Sequence, residues 1–181
     1  MRKFQVPYTD LQTALAAATS GEQIWVASGT YRRTTGSDRY ATFQLINEVR
    51  IYGGFQGNEN PDTFNLDDRD FDTHETILSG DVGSHGNNND NSYHVTTASG
   101  TDRTAILDGF TITDGGNINY DSGGGMYIIE GSPALNNIIF QNNSAGRNGG
   151  GLCSDGGNPT LNDITFLNNA AGRRDRRRIL Q

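Results

Sequence analysis

The sequence predicts an all-β fold, a right-handed parallel β-helix of roughly six coils with a short N-terminal capping α-helix. Three observations predict it. Residues 123–145 (GGGMYIIEGSPALNNIIFQNNSA) return 26 positions later at 149–171 (GGGLCSDGGNPTLNDITFLNNAA) without a gap. The 24 Gly and 19 Asn among 181 residues disfavour helices, while Ile, Val, Leu, Phe and Tyr recur too regularly for disorder. Helical spacing of apolar residues stops after Ala18, and short strand-like runs replace it.

The elements follow in order. Thr9 and Gln12 have capping-box spacing, Leu11, Ala14, Leu15 and Ala18 form one helical stripe, and Gly21 suits the position after a stop, so the capping helix falls within 9–20. Residues 23–27 read as a strand and 29–31 as a turn; 41–46 and 49–52 read as strands, followed by a Gly53-Gly54 break. Residues 58–74, with five Asp, read as a surface loop. Strand character resumes at 76–78 and 93–97, on either side of the loop 80–91, GDVGSHGNNNDN.

Two 26-residue repeats then fill 123–171, and 107–113 is a degenerate earlier copy offset by 28 from Leu135. A single repeat cannot bury its apolar side alone, so copies must stack, Leu135 on Leu161, Ile138 on Ile164 and Phe140 on Phe166. Asn136, Asn137 and Ile139 fall at turns or outward positions. The Gly triplets allow a corner with positive φ, and the Asn pairs 142–143 and 168–169 are placed to stack as amide ladders. Roughly 150 residues at 26 per coil make about six coils, a rod about 29 Å long. The chain divides into one domain, 1–172, and an Arg-rich tail, 173–181, expected to be disordered.

The net charge is −7, but the tail holds five Arg and one Asp, so the rest carries −11. An acidic body repels nucleic acid and anionic membranes. No apolar run approaches the ~18 residues of a membrane span. Cys153 is the single cysteine, which excludes an intrachain disulfide and a thiolate metal cluster. The opening MRKFQVPYTDL has basic residues but no apolar signal core. After Gly172 the repeat breaks into Arg where another GGG coil is expected. The chain therefore reads as a truncated or frame-altered piece of a longer array, with an uncapped last coil open to self-association.

The combination of GGG-M/L, F-x-N-N (Phe140–Asn143 and Phe166–Asn169) and SPALNN/NPTLND resembles the right-handed parallel β-helix repeats of the polymorphic outer-membrane protein type, within the pectin-lyase-like superfamily. The N-terminal half (DLQTALAAA, GEQIWVASGTY, FQLINEVRIYGGF, ETILSGDVG, AILDGFTIT) is similar to bacterial surface proteins of this kind, and the resemblance covers roughly 9–172. It implies a secreted or cell-surface protein. It also implies two chemistries known on the fold: polysaccharide lyases with Asp-bound calcium and an Arg or Lys base, and hydrolases with clustered Asp.

Asp108 and Asp114 bracket the strand around Phe110, and Arg103 is near in sequence; two carboxylates and a cation can run acid–base chemistry on a sugar. The competing explanation is that Asp caps the backbone at strand ends and turns. The oxygen-rich loop makes Asp81 and Asp90 the candidate calcium ligands, with Asn87, Asn88, Asn89 and Asn91 beside them, although no D-x-D-x-D-G spacing is present. Otherwise no cofactor is implied. His74, His85 and His94 lack zinc-ligand spacing, and Cys153 reads as a buried small residue. Tyr120 and Tyr127, with Trp25, Tyr31, Tyr40 and Tyr52, are candidate sugar-stacking platforms.

These observations favour a non-enzymatic extracellular or cell-surface module for adhesion, as a stalk, or for contact with a polysaccharide or host-cell glycan. The alternative is a carbohydrate-active enzyme, a polysaccharide lyase or glycoside hydrolase. A third reading is a remnant without activity.

Overall fold

The computed structural model describes residues 8–116 and 122–172. These residues form strands joined in parallel sheets, with one short α-helix. Helix α1 spans Leu11–Ala17 and buries Leu11, Ala14 and Leu15. It is shorter than the predicted 9–20, and its N-cap is Asp10, not Thr9. The Asp10 carboxylate accepts from the backbone N–H of Gln12 at 3.3 Å and of Thr13 at 3.0 Å, which starts the helix one residue later.

Strands β1 (Gln23–Ala27), β2 (Gly29–Arg32), β3 (Phe43–Gln44), β4 (Arg50–Phe55), β5 (Thr76–Ser79) and β6 (Thr96–Thr97) precede the repeats. Then come β7 (Ile106–Thr113), β8 (Met126–Ile129), β9 (Ala134–Gln141), β10 (Ser144–Ala145), β11 (Leu152–Asp155), β12 (Thr160–Leu167) and β13 (Ala170–Ala171). In the largest sheet β1, β4, β7, β9 and β12 lie side by side, all parallel. A second sheet runs β3-β6-β8-β11, and a third pairs β10 with β13.

The predicted register is observed. Leu135 pairs Leu161, Ile138 pairs Ile164 and Phe140 pairs Phe166; one level earlier, Leu107 pairs Leu135 and Ile112 pairs Phe140. Leu135, Ile138 and Phe140 are fully buried, which stabilises the fold by about 1.5–3 kcal/mol each. The second Asn of each pair forms the amide ladder. The Asn143 amide nitrogen donates to Ile112 O at 2.8 Å and to Asn169 Oδ1 at 3.0 Å, and its oxygen accepts from Gly115 N–H at 2.9 Å.

Several local expectations are corrected. Residues 29–31 belong to β2, because Gly29–Arg32 finds partners in β5. The strands at 41–46 and 93–97 shrink to two residues each, β3 and β6. Gly53-Gly54 does not break β4: a Cβ on Gly53 would strike the Gly109 carbonyl of the neighbouring strand, so glycine permits the close pairing. Positive φ is not confined to the Gly triplets, where Gly123 and Gly149 adopt it. Gly109, Asn137 and Asp163 occupy one corner at φ 82°, 50° and 53°, and Asp114, Asn142 and Asn168 another at 57°, 54° and 52°. Asn and Asp tolerate the left-handed region better than other side chains with a Cβ. Cys153 is half-buried rather than buried. The tail 173–181 lies outside the described residues.

Candidate functional site

The levels are evenly spaced except at one place. Gln23 pairs Arg50 (27 apart), Ile106 pairs Ala134 (28 apart) and Ala134 pairs Thr160 (26 apart), but Arg50 pairs Ile106, 56 apart. Tyr52 and Ile77 are 25 apart, whereas their partners Asp108 and Thr111 are three apart. The single-residue corner that β7 makes at Gly109 is thus opened, one level earlier, into an excursion with 22 more residues. This is the Asp-rich segment read as a surface loop, and it folds back onto the sheet.

Arg69 anchors it. Its guanidinium donates to Leu66 O at 2.8 Å, Gly53 O at 3.3 Å, Asp108 O at 3.4 Å and Asp108 Oδ2 at 3.1 Å. It also lies over the rings of Phe71, Tyr52 and Phe55. The side chains of Arg69 and Asp108 are only 7% and 12% exposed. Asn137 donates to the other Asp108 oxygen at 2.9 Å, so both carboxylate oxygens are engaged. Phe71 covers the glycine corner: a Cβ on Gly54 or Gly109 would run into its ring. Arg69 carries no repeat signal. The one available clue is a lone Arg among five Asp, flanked by Leu66 and Phe71.

Between this excursion and the sheet runs a groove of about 180 Å³, with Phe71, Asp72 and Glu75 on one side and Thr111, Asn137 and Ile139 on the other. The Thr111 hydroxyl donates to Glu75 Oε1 at 2.8 Å, closing one end. Ile139 is 37% exposed and gives the groove an apolar floor.

A second cluster surrounds Asp114. Arg32 pairs with Asp81 at 3.5 Å and donates through Nε to the Asp81 carbonyl at 2.9 Å. The Ser79 hydroxyl donates to Asp114 Oδ2 at 3.4 Å and accepts from the Asp81 N–H at 3.1 Å. Burial, and then the Asp81 charge, hold the Asp114 carboxyl above its ordinary range, against the opposing pull of the Thr113 and Ser79 hydroxyls and Arg32. A cleft of about 450 Å³ adjoins it, lined in part by Asp10, Tyr31, Arg32, Val82 and His85.

The predicted catalytic group is therefore separated. Asp108 belongs to the Arg69 anchor and Asp114 to the Arg32–Asp81 cluster. Arg103 is exposed and ion-paired with neither; among the described residues the ion pairs are Arg32–Asp81 and Arg69–Asp108. Tyr120 lies outside the described residues. Tyr127 is half-buried, its ring 5.0 Å from that of His94, whose Nδ1 is 2.9 Å from the Gly123 carbonyl oxygen. Asp81 Oδ1 accepts from Gly86 N–H at 2.9 Å and Asp90 Oδ2 from Ser84 N–H at 3.0 Å, both within the loop that follows β5. Calcium takes six to eight oxygens, yet among the described residues no three His, Cys, Asp or Glu are grouped to hold a metal.

Among the described residues no helix is long and apolar enough to cross a membrane. A family model described as a protein of unknown function, DUF1565, matches residues 3–173. No curated protein and no solved structure matches the chain.

Proposed function

The chain belongs to the DUF1565 family of proteins of unknown function, and from that premise we propose that it is a right-handed parallel β-helix acting as a non-enzymatic, glycan-contacting module outside the cell or on a bacterial surface. Levels 26–28 residues apart, each adding a strand to the same parallel sheet, support the helix. The described strands support five coils in the largest sheet; the 22-residue excursion takes up length that the estimate of about six assigned to a further coil. The surface location rests on the resemblance of the GGG and F-x-N-N motifs to surface-protein repeats.

One observation carries the non-enzymatic reading: both oxygens of Asp108 are spent on Arg69 and Asn137. The neighbouring groove presents the Phe71 ring, the aliphatic Ile139 and the polar side chains of Asp72, Glu75, Thr111 and Asn137, of which Thr111 already bonds Glu75 and Asn137 already bonds Asp108. That set suits the apolar face and hydroxyls of a sugar ring. A body charge of −11 favours a neutral glycan over an acidic one.

Affinity electrophoresis in gels containing xyloglucan or polygalacturonate tests this, with reducing ends and unsaturated products measured in parallel. The expected result is retardation by xyloglucan, weakened by Ile139→Asp, with no product from either polymer. No retardation in either gel overturns the glycan reading, and product formation overturns the non-enzymatic one. A carbohydrate-active enzyme is the second reading. The raised Asp114 carboxyl favours it, since a carboxyl that keeps its proton to higher pH suits a general acid. Turnover lost in Asp114→Asn supports that alternative.

A further inference from the structure

We propose that the groove between the excursion and the sheet selects amine-bearing sugars, a glucosamine-type oligosaccharide whose protonated amine faces the carboxylates of Asp72 and Glu75. The inference rests on the glycan reading given above and names the class of sugar that the groove takes. The first argument is the inventory of hydrogen-bonding groups. The Thr111 hydroxyl is buried, and its proton goes to Glu75 Oε1 at 2.8 Å. One amide hydrogen of Asn137 goes to Asp108 Oδ1 at 2.9 Å. Among the lining side chains, the acceptors still open are the Asp72 carboxylate, the second Glu75 oxygen and Asn137 Oδ1, and the donor still open is the other amide hydrogen of Asn137. Such a site is satisfied by a ligand rich in donors. A hydroxyl brings a donor and acceptors together, and an acetamide adds a carbonyl, whereas an ammonium group brings donors only.

The second argument is charge. No lining side chain is cationic. Arg69 lies 5.0 Å from the Phe71 ring centroid, but Asp108 matches its charge at 3.1 Å. His74 acts on Asp70 and does not line the groove. Asp72 and Glu75 therefore set the local field, on a body that carries −11 outside its Arg-rich tail. The third argument separates a sugar from a lysine-bearing peptide. Ile139, 37% exposed, offers hydrocarbon to the apolar face of a ring. A pyranose carries its amine at a fixed place beside that face, while a lysine must first order its flexible stem. Both carboxylates are exposed, so each adds modestly, and together they favour the amine by about tenfold.

Isothermal titration calorimetry of the full chain at low ionic strength tests this, with glucosamine, N-acetylglucosamine and glucose oligomers of equal length and linkage. The glucosamine oligomer is expected to bind about tenfold more tightly than either uncharged one. That advantage should disappear in about 0.5 M salt, where the Debye length is about 4 Å. Asp72→Asn with Glu75→Gln is expected to weaken the glucosamine oligomer about tenfold, and circular dichroism checks that this near-isosteric variant folds. Asp62→Asn with Asp67→Asn removes the same charge from exposed positions of the excursion outside the groove, and its effect should be smaller. Equal affinity for all three sugars overturns the amine assignment and leaves the glycan reading standing; no binding of any overturns both. An equal loss in the two double variants means that the acidic body attracts any cation, and it overturns the groove as the site. An oligolysine that binds the groove as tightly as the glucosamine oligomer overturns the sugar class.

Discussion

Replacing Arg69 with Met removes a buried charge and keeps most of the side-chain volume. An exposed ion pair is worth at most about 1 kcal/mol, but breaking a buried one by deleting a single partner costs about 3–5 kcal/mol. The Arg69–Asp108 pair belongs to the second class, with side chains 7% and 12% exposed. In Arg69→Met the Asp108 carboxylate keeps only the Asn137 amide, and the Gly53 and Leu66 carbonyls lose a donor. The expected loss is about 4 kcal/mol, a large part of the stability of a domain this size. Urea denaturation followed by Trp25 fluorescence measures it, because Trp25 stacks on Phe55 at 4.6 Å and contacts Phe64 of the excursion edge-on. If the excursion detaches before the sheets unfold, the urea dependence also becomes shallower. Arg69→Met with Asp108→Leu removes both charges and is expected to recover at least 2 kcal/mol of the loss, the coupling expected of contacting residues. A loss below about 1 kcal/mol for the single variant, or strictly additive losses, refutes the assignment of this pair as the anchor.

Gly109→Ala places a Cβ against Phe71 at a φ of 82° and is expected to cost more than about 2 kcal/mol in the same urea assay, with Phe71 displaced from the groove. Asn143→Ala strands the Gly115 N–H and the Ile112 carbonyl in the interior, at about 1–3 kcal/mol each; a total cost under 1 kcal/mol contradicts the amide ladder. Asp114→Asn has a pH signature. Asp114 keeps its proton to higher pH when folded than when unfolded, so its penalty is absent below the ordinary Asp range and grows as pH rises through the folded value. The stability of the Asn variant relative to the parent should therefore increase between about pH 3 and pH 7 in thermal melts; a gap that narrows over that interval reverses the sign and sinks the account.

The legible part of the fold was the part that repeats. Leu135, Ile138 and Phe140 could be placed inside because each recurs 26 residues on, and a single strand alternation then fixed which neighbours faced out. Asn143 was legible for the same reason. The N-cap was misplaced by one residue because Thr9 and Asp10 both qualify chemically, and only the chain path decides which carboxylate or hydroxyl reaches the N–H of Thr13. Gly53-Gly54 was misread because glycine's permissive backbone and glycine's lack of a Cβ leave the same mark on a sequence. Only the Gly109 carbonyl across the sheet distinguishes them.

The groove was illegible for a deeper reason. The contact that anchors the excursion forming one of its sides joins Arg69 to Asp108, 39 residues apart and on different levels, and neither position recurs with its partner in another repeat. A ladder reports what every level shares, so departures from it must be read against its own columns. At one corner the column runs Gly109, Asn137, Asp163, and glycine is needed only where Phe71 sits above it. At the other it runs Asp114, Asn142, Asn168. All three adopt left-handed φ, so the backbone does not explain why the first is a carboxylate that burial disfavours. The charge at 114 must be explained by Ser79, Asp81 and Arg32, the groups of its own level, and the pH dependence of Asp114→Asn measures what retaining that carboxylate costs the fold.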